Sequence, residues 1–410
     1  MKVLIFTYYW PPSGGAGVQR WLKFCKYLPE FGVEPTVITT LDGDYPAIDY
    51  SLEKDVSSQL RVIRTYTPTL NTLSRKKRVA PYGSLKTQKQ DSLKRKIAIW
   101  IRLNLILPDA RRIWNKYAIK AVTKLLKTEK YDIIITTGPP HSTHLVGLDL
   151  SKKYNLRWIA DFRDPWCDID YLKNVKRAKL TERLDRKLEQ KVVKKCDKVI
   201  SINQDILNKI GANSKGVIIP NGFDPEDFRA EIQKSDDFSI SYFGLISPER
   251  NPEVVILALN KLYADGFDEI KLKFYGNIWD KEYLKSLANY EFINFYDYIP
   301  HDEVICKMQE ASVLLLMINN ISDNLGIITG KIFEYIGSKT PILAVGPING
   351  EANAILSETS SGEMFGYKDI EHVAEYIKTI YEGGAIVSSQ INQYNRREIT
   401  RRLVEVLEAE

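Results

Sequence analysis

Cysteine, low-complexity sequence and long apolar runs are scarce in this chain, and each scarcity excludes a class of protein. The 410 residues include only four cysteines, which are widely scattered and form no CxxC pair. This pattern favours reduced thiols over a disulfide framework or a zinc site. The apolar run Val3–Tyr9 is too short to span a membrane, and no small-residue cleavage site follows it, so we expect no signal peptide. The sequence therefore indicates a cytoplasmic enzyme.

Positive charge is concentrated in the first half of the chain, although the net charge is only +6. Residues 71–130 contain 17 Lys and Arg against 3 Asp and Glu, and residues 173–198 contain 11 against 4. This asymmetry predicts an anionic partner, either a phosphate-bearing molecule or a membrane surface. The alternative is that both runs are solvated helix faces. No motif that reads nucleic acid accompanies the charge, so nucleic acid is not an expected partner.

The basic segment 75–112 contains a short apolar stretch from Ile97 to Leu107, which Arg102 interrupts. This stretch cannot span a bilayer. Trp100 and its apolar neighbours, flanked by Lys and Arg, fit a helix that lies on an anionic membrane surface, at the inner face of the plasma membrane. The alternative is a helix that packs within the first domain or at an interface.

Short apolar strands alternate with helical patterns along the whole chain, which is too long for one ordinary core. The predicted strands are KVLIFTY, PTVITT, YDIIITT, RWIADF and KVISI, followed by FSISYFG, KLKFYG, INFYDYI, SVLLLMI and TPILAVG. Two such βα series predict an α/β protein with two doubly wound Rossmann-like domains. We expect domains at 1–215 and 216–391, a break within 215–237, and a last helix (392–410) that packs back on the first domain.

Glycine-rich or charged loops follow several of these strands. Gly15 and Gly17 precede a predicted helix, where backbone N–H groups bind anions, but Arg20 stands where a dinucleotide fingerprint needs its third glycine. In the second domain, Gly244 ends a strand before Arg250, and Lys331 begins a helix. A guanidinium, an ammonium and helix N-terminal amides together favour a diphosphate site. The alternative is that Arg250 or Lys331, taken alone, is an ordinary charged surface residue.

Five segments occur in an order that carries a family resemblance. They are PPSGGAG after the first strand, IIPNGFD at the domain break, YFGLISPERNP, GKIFEY and TPILAVG. With them, nearly the whole chain resembles the retaining nucleotide-sugar glycosyltransferases of family 4, which have the GT-B fold, two Rossmann-like domains facing across a cleft. The resemblance implies that Arg250 and Lys331 face the donor diphosphate and that Glu334 binds the ribose. It also implies that the backbone near Gly326 and Ile327 meets the phosphates or donor sugar.

The chain departs from the family pattern at two places. The family usually has two glutamates seven residues apart; Glu334 fits the second, but Gly326 occupies the first position. The family's Gly-Arg pair after the first strand of the second domain appears here as Gly244-Leu245, and Asn251 stands where a lysine would follow Arg250. Because of these changes, the resemblance does not assign the donor sugar. It still implies a diphosphate site.

Two loops of the first domain, TTGPPHSTHLVG and IADFRDPWCDID, follow predicted strands and should reach the same cleft. The family often has a histidine here, which aligns with His141 or with Thr137. Asp161, Arg163 and Asp164 cluster on the second loop, either as an internal ion pair or as an acceptor site. The candidate residues are, for catalysis, His141, Arg163 and Asp164, and, for donor binding, Gly15, Gly17, Gly244, Arg250, Asn324, Gly326, Ile327, Lys331 and Glu334.

The expected function is transfer of a sugar from a nucleoside-diphosphate sugar to a carbohydrate or lipid-linked acceptor, with retention of anomeric configuration, in surface polysaccharide or glycolipid biosynthesis. We expect no cofactor and no metal, because Asp168-Ile169-Asp170 is a weak motif and no other group has ligand spacing. Two alternatives stay open: a sugar-nucleotide epimerase of the same fold, and a non-catalytic sugar-nucleotide-binding protein. A dehydrogenase is disfavoured because the third glycine is missing.

Overall fold

The structure is a computed structural model in which the chain forms two compact units. It describes residues 1–46, 48–68, 92–169, 172, 175–229, 232–235, 237–276, 285, 287, 289–297 and 299–409. Unit 1 comprises Met1–Pro220 and Thr400–Glu410, and unit 2 comprises Asn221–Ile399. The division after Pro220 falls inside the Pro- and Gly-containing segment 215–237.

Unit 1 is built on a parallel sheet whose strands alternate with helices. Its described strands are β1 (Lys2–Phe6), β2 (Glu34–Thr40), β3 (Arg61–Thr65), β4 (Ile133–Gly138), β5 (Arg157–Phe162), β6 (Lys198–Ser201) and β7 (Gly216–Ile218). Its described α-helices are α1 (Ala16–Tyr27), α2 (Leu93–Asn104), α3 (Asn115–Leu125), α4 (His144–Tyr154), α5 (Lys179–Lys195) and α6 (Gln204–Ile210). Short 3-10 turns span Leu28–Phe31, Tyr50–Asp55, Ala110–Trp114 and His141–Thr143.

The strand order of unit 1 is β3-β2-β1-β4-β5-β6-β7, and every pair is parallel. Leu4 of β1, for example, lies between Thr36 of β2 and Ile134 of β4. The chain reverses direction across the sheet between β1 and β4, which is the position where doubly wound sheets bind ligands. The loops that carry Gly15, Gly17 and His141 therefore leave the sheet at neighbouring strands.

Close helix–sheet packing holds the core of unit 1. The Trp158 side chain on β5 is fully buried, and its Nε1 donates to Thr136 Oγ1 at 2.9 Å. Gly147 of α4 lies against it, because a Cβ at that position would come within 2.1 Å of the Trp158 Nε1. At the far end of β5, the Arg157 guanidinium donates to the carbonyls of Val406 and Leu407 in the last helix.

Unit 2 has a second parallel sheet. Its described strands are β8 (Ser239–Phe243), β9 (Lys271–Tyr275), β10 (Ile293–Tyr296), β11 (Val313–Met317), β12 (Ile342–Val345) and β13 (Gly362–Phe365). Its described α-helices are α7 (Glu253–Ala264), α8 (His301–Glu310), α9 (Lys331–Ser338), α10 (Glu351–Thr359) and α11 (Ile370–Tyr381). Pro225–Asp227 and Ile391–Tyr394 form 3-10 turns. The last helix, α12 (Arg396–Glu408), begins in unit 2 and belongs to unit 1 from Thr400 onwards.

The strand order of unit 2 is β10-β9-β8-β11-β12-β13, again all parallel. The reversal falls between β8 and β11, so the loops that follow these two strands leave the sheet side by side. Helix α9 buries Ile332, Phe333 and Ile336 against this sheet. Lys331 and Glu334 are three residues apart on its half-buried face.

The prediction of two doubly wound α/β domains is confirmed, and each of the ten strands predicted from the sequence is present. Three further strands, β3, β7 and β13, were not predicted. The sequence also predicts a helix at KEYLKSLANY (281–290), which lies largely outside the described residues. Among the described residues, no helix combines the length and hydropathy needed to cross a bilayer.

Candidate functional site

The N-terminus of α9 brings two opposite charges into a partly desolvated position. No described side chain caps this helix, which starts after Gly330. Burial lowers the pKa of Lys331, an effect that the nearby Glu334 carboxylate opposes and the Arg250 guanidinium reinforces. Burial likewise raises the pKa of Glu334, against the opposing charges of His301 and Lys331. A desolvated ammonium at a helix N-terminus is well placed to bind an anion.

Gly244 makes room for the Lys331 ammonium at the end of β8. Its φ is +142°, and a Cβ at this position would lie 2.7 Å from Lys331 Nζ. Gly276, which follows β9, is equally constrained, because its Cβ would lie 2.7 Å from the Gly244 carbonyl oxygen. Two glycines thus let neighbouring backbone segments and the lysine side chain converge at one point.

Arg250 belongs to the same cluster through the loop after β8. A turn closes this loop, in which the Arg250 N–H donates to the Ser247 carbonyl at 2.8 Å. The Arg250 Nε donates to Asn319 Oδ1 at 2.6 Å, so the loop after β11 fixes the guanidinium. Asn319 was missed in the sequence analysis, although its place directly after a buried strand is a signal that could have found it.

The loop between β11 and α9 is held by Asn324. Its Nδ2 donates to the Asn319 carbonyl at 3.0 Å and to the Tyr367 hydroxyl at 2.9 Å. The Ile327 N–H donates to the Asn324 carbonyl at 3.1 Å, so Gly326 lies within this turn. Asn324 therefore shapes the loop that presents Gly326 and Ile327, with its amide donors already bonded to protein atoms.

In unit 1, Arg163 connects two loops at the carboxyl ends of β1 and β4. Its Nε donates to the Gly138 carbonyl at 3.0 Å, its Nη2 to the Pro139 carbonyl at 2.8 Å, and its Nη1 to the Gly17 carbonyl. A Cβ on Gly17 would collide with this guanidinium. Three of its donors are bonded to backbone oxygens, which indicates a positioning role for Arg163. Asp164 is half-buried, and burial raises its pKa.

Gly15 and Arg20 have different roles at the start of α1. Gly15 is the N-cap residue with a φ of +102°. Arg20 is fully buried and bonds to Asp161 through Nη2–Oδ1 (3.0 Å) and Nε–Oδ2 (3.3 Å). Asp161 also accepts from Trp21 Nε1 at 2.6 Å and from Thr137 Oγ1 at 2.8 Å. The residue that breaks the dinucleotide fingerprint thus forms a buried ion pair.

His141 and His144 pack in one aromatic stack. His144 lies over Phe162 with ring centroids 4.3 Å apart and shares a hydrogen bond with the Thr136 hydroxyl; burial lowers its pKa to about 3. His141 lies parallel to Trp166, with centroids 5.4 Å apart and planes 9° apart. Neither ring nitrogen of His141 has a hydrogen-bond partner among the described residues.

The first aspartate of the weak acidic motif, Asp168, is engaged by an arginine. Asp168 accepts hydrogen bonds from Arg186 at 2.8 and 3.1 Å, and Asp170 lies outside the described residues. In the part of the chain that the structure describes, no group of three or more His, Cys, Asp or Glu side chains could hold a metal ion.

Two doubly wound Rossmann-like units, each with charged loops at its sheet reversal, are the architecture of the GT-B fold. Two family models match the chain: "Glycosyltransferase Family 4" over residues 14–227 and "Glycosyl transferases group 1" over residues 223–398. The first covers more than half of the sequence. The chain belongs to glycosyltransferase family 4, and its domains are those of a sugar-transferring enzyme.

Solved structures with the same fold cover nearly the whole chain. The Anabaena protein HepE, in complex with UDP and glucose, is 15% identical, with 99% of both chains covered and a TM-score of 0.63. The lipopolysaccharide outer core galactosyltransferase WaaB is 12% identical (99% of both chains, TM-score 0.58). The UDP-GlcNAc 2-epimerase of Methanocaldococcus jannaschii is also 12% identical (99% of both chains, TM-score 0.55). These identities show the fold alone. No curated protein sequence matches the chain.

Proposed function

We propose that this protein transfers a sugar from a nucleoside-diphosphate sugar to an acceptor hydroxyl, with retention of anomeric configuration. One observation carries the proposal: the Lys331 ammonium lies against the Gly244 backbone at the N-terminus of α9, within electrostatic reach of Arg250. Two cations and a helix N-terminus match the charge of a diphosphate. HepE, which shares the fold, was solved with UDP and glucose, and this supports a nucleotide-sugar donor.

The chemistry assigned to this site is stabilisation of the leaving diphosphate. As the bond to the sugar breaks, negative charge grows on the diphosphate oxygens, and Arg250, Lys331 and the amides of α9 meet it in a partly desolvated position. Glu334, on the next turn of the same face, accepts hydrogen bonds from the ribose hydroxyls. Family membership supports a front-face displacement, in which the leaving phosphate helps to deprotonate the acceptor hydroxyl. In this proposal the reaction needs no metal and no cofactor.

A role in surface polysaccharide or glycolipid synthesis, at the inner face of the membrane, forms part of the proposal. WaaB, a lipopolysaccharide galactosyltransferase, shares the fold. Helix α2 exposes Leu93, Ile97 and Trp100 at helical spacing, and Leu105 directly after the helix is also exposed; the four side chains are between 51% and 73% exposed. Lys94–Lys96 beside them would meet anionic lipids. Residues 75–91 of this basic segment (75–112) lie outside the described residues.

The donor site is tested by nucleotide-sugar binding and turnover. Arg250→Ala should lower kcat about 100-fold or more with a small change in Kd, because the guanidinium acts on charge that develops in the transition state. Glu334→Ala should raise Kd about tenfold or more, the usual loss for hydrogen bonds to a charged group. Kd is measured by thermal stabilisation with a panel of nucleoside-diphosphate sugars.

A matched control for Glu334 is Glu382→Ala, an exposed glutamate of unit 2 that lies 3.9 Å from Lys378. This variant should keep the wild-type kcat and Kd. Wild-type kinetics in both Arg250→Ala and Glu334→Ala would reject the donor site proposed here.

An epimerase is the second candidate, because UDP-GlcNAc 2-epimerases share this fold. Incubation of the protein with a nucleotide sugar and no acceptor separates the two. Appearance of an epimerised nucleotide sugar would overturn the transferase proposal, whereas a stable donor that is consumed only when an acceptor is added supports it. Binding without turnover of any acceptor would instead favour a non-catalytic sensor.

A further inference from the structure

The hydroxyl group of Tyr367 connects the end of β13 to the loop after β11. Tyr367 is half-buried and lies two residues beyond Phe365, the last residue of β13. Its hydroxyl accepts from Asn324 Nδ2 at 2.9 Å and donates to the carbonyls of Ile318 and Asn319, at 3.2 and 3.1 Å. Burial raises the pKa of Tyr367, so the phenol keeps the proton that it donates. One phenol group thus holds the loop at residues 318–324.

Gly346, directly after β12, makes room for this connection. A Cβ at this position would lie 2.9 Å from Ile318 Cβ and 3.0 Å from Met364 Sδ. The Ile318 N–H donates to the Val345 carbonyl at 2.9 Å, so the chain after β11 continues beside β12 before it reaches Tyr367. The glycine therefore allows the ends of β11, β12 and β13 to pack closely together.

The same loop holds Arg250 of the candidate donor site. The Asn319 carbonyl accepts from Tyr367, and its side-chain Oδ1 accepts from Arg250 Nε at 2.6 Å. The Asn320 N–H donates to the Glu249 carbonyl at 2.8 Å, which ties the loop to the residue directly before Arg250. Because both acceptors belong to Asn319, fixing its carbonyl also limits where Oδ1 and the guanidinium lie.

Asn319 orients the guanidinium without neutralising it. An amide oxygen accepts a hydrogen bond but carries no net charge, whereas a carboxylate here would form an ion pair. The bond uses Nε, so Asn319 does not occupy the forked end, which pairs with phosphate oxygens. Tyr242 is a second anchor, on β8: burial raises its pKa, and the charge of Arg250 and a hydrogen bond with it oppose that rise. Arg250 is therefore held from two directions.

We propose that Tyr367 is a positioning residue for Arg250, acting through Asn319 in the step in which the donor diphosphate leaves. This role rests on the proposed transferase function, because that function assigns Arg250 to the step. A guanidinium that is fixed before the reaction stabilises the developing charge without reorganisation. A displacement of about 1 Å can cost about 100-fold in rate. Asn324, expected from the sequence to bind the donor, belongs to this positioning network.

The position of Arg250 can be measured without substrate, by nitrogen-15 NMR of the arginine Nε–H groups. The bond to Asn319 protects the Arg250 Nε–H from exchange with solvent, and Arg250→Lys identifies its signal. Tyr367→Phe removes only the hydroxyl, and the exchange should become about tenfold faster or more, because the loop that carries Asn319 loses its anchor. An unchanged exchange rate in this variant would overturn the proposal.

Tyr376→Phe is the matched control. The Tyr376 hydroxyl, on α11, donates to the Ile342 carbonyl at 2.9 Å. Ile342 begins β12, so this bond lies at the opposite end of the strand from the site. The control loses a comparable hydrogen bond and a similar amount of stability, but Arg250 exchange and kcat should stay at their wild-type values. Equally fast exchange in both variants would overturn the proposal, because the effect would then be one of stability.

Turnover separates this role from the donor site itself. Tyr367→Phe should lower kcat about tenfold in the wild-type protein and less than about twofold when Arg250→Ala is already present. Equal losses in both backgrounds would overturn the proposal, because Tyr367 would then act independently of Arg250. If Arg250→Ala lowers kcat and Tyr367→Phe does not, the donor site stands and the positioning role fails. If neither variant lowers kcat, the donor site itself fails.

Two substitutions of Asn319 separate orientation from charge, and they carry the test if Tyr367→Phe does not fold. Asn319→Ala removes the acceptor, so the Arg250 exchange should become faster and kcat should fall about tenfold. Asn319→Asp keeps an acceptor, so the exchange should stay slow, but its charge offsets the guanidinium and kcat should still fall about tenfold. Slow exchange with wild-type kcat in Asn319→Ala would reject the proposal.

Discussion

Replacing Gly244 by alanine should lower both the stability of unit 2 and its affinity for a diphosphate, through two separate causes. The new Cβ would lie 2.7 Å from Lys331 Nζ, the far end of a flexible side chain. The lysine therefore moves away, and the variant folds with its ammonium displaced from the site. The backbone also keeps a φ of +142°, which an alanine adopts only under strain.

The two effects have separate magnitudes. Backbone strain at a positive φ costs about 1–3 kcal/mol, which corresponds to a Tm lower by about 2–12 °C in a domain of this size. Loss of one hydrogen bond to a charged group costs about 1.5–3 kcal/mol, so the Kd for a nucleoside diphosphate should rise about 10- to 150-fold.

Gly266→Ala is the matched control for this variant. Gly266 lies in the same unit with a φ of +94°, and a Cβ there meets nothing within 4 Å. It should lose a similar amount of stability and bind the nucleoside diphosphate with wild-type affinity. Isothermal titration calorimetry and thermal unfolding measure both quantities. If the two alanine variants bind equally well, Lys331 does not contact the diphosphate and the reasoning fails.

Three further predictions concern other parts of the chain. Asp161→Asn should destabilise unit 1 by about 3–5 kcal/mol in denaturant unfolding, since it leaves the buried Arg20 charge uncompensated; a loss under 1 kcal/mol would contradict this. Replacing Ile97 and Trp100 together by serine should abolish flotation with anionic vesicles while the Tm is unchanged, and equal flotation of the wild type with neutral vesicles would argue against the membrane assignment. Because burial lowers the pKa of Lys331, diphosphate affinity should fall with rising pH earlier than for an ordinary lysine, whereas Lys331→Arg should hold its affinity to higher pH.

The central strands of both sheets could be predicted from sequence, and most of the edge strands could not. Buried parallel strands are continuous apolar runs, such as Val313–Met317. The strands that were missed, β3, β7 and β13, all lie at sheet edges, where one side is uncovered. Arg61–Thr65, for example, places Arg61 and Arg64 on its exposed positions, and this interrupts the apolar pattern.

The candidate site, too, could be predicted from the sequence only in part. Gly244, Arg250 and Lys331 could be placed together because each lies at the carboxyl end of a strand or the start of the next helix. Their binding roles stay predictions. The sequence could not show that Arg163 bonds to three backbone carbonyls or that His141 stacks on Trp166, because such contacts depend on how separate loops fold over one another.

The assignment of Thr400–Glu410 to unit 1 has a consequence for the order of folding during synthesis. Unit 2 is one uninterrupted segment, Asn221–Ile399, whereas unit 1 needs both ends of the chain. On the ribosome, all of unit 2 has been made before the partners of Arg157 in the last helix exist. The core of unit 1 can therefore be completed only with residues that follow unit 2 in the chain, so its last packing contacts form after unit 2 has been synthesised.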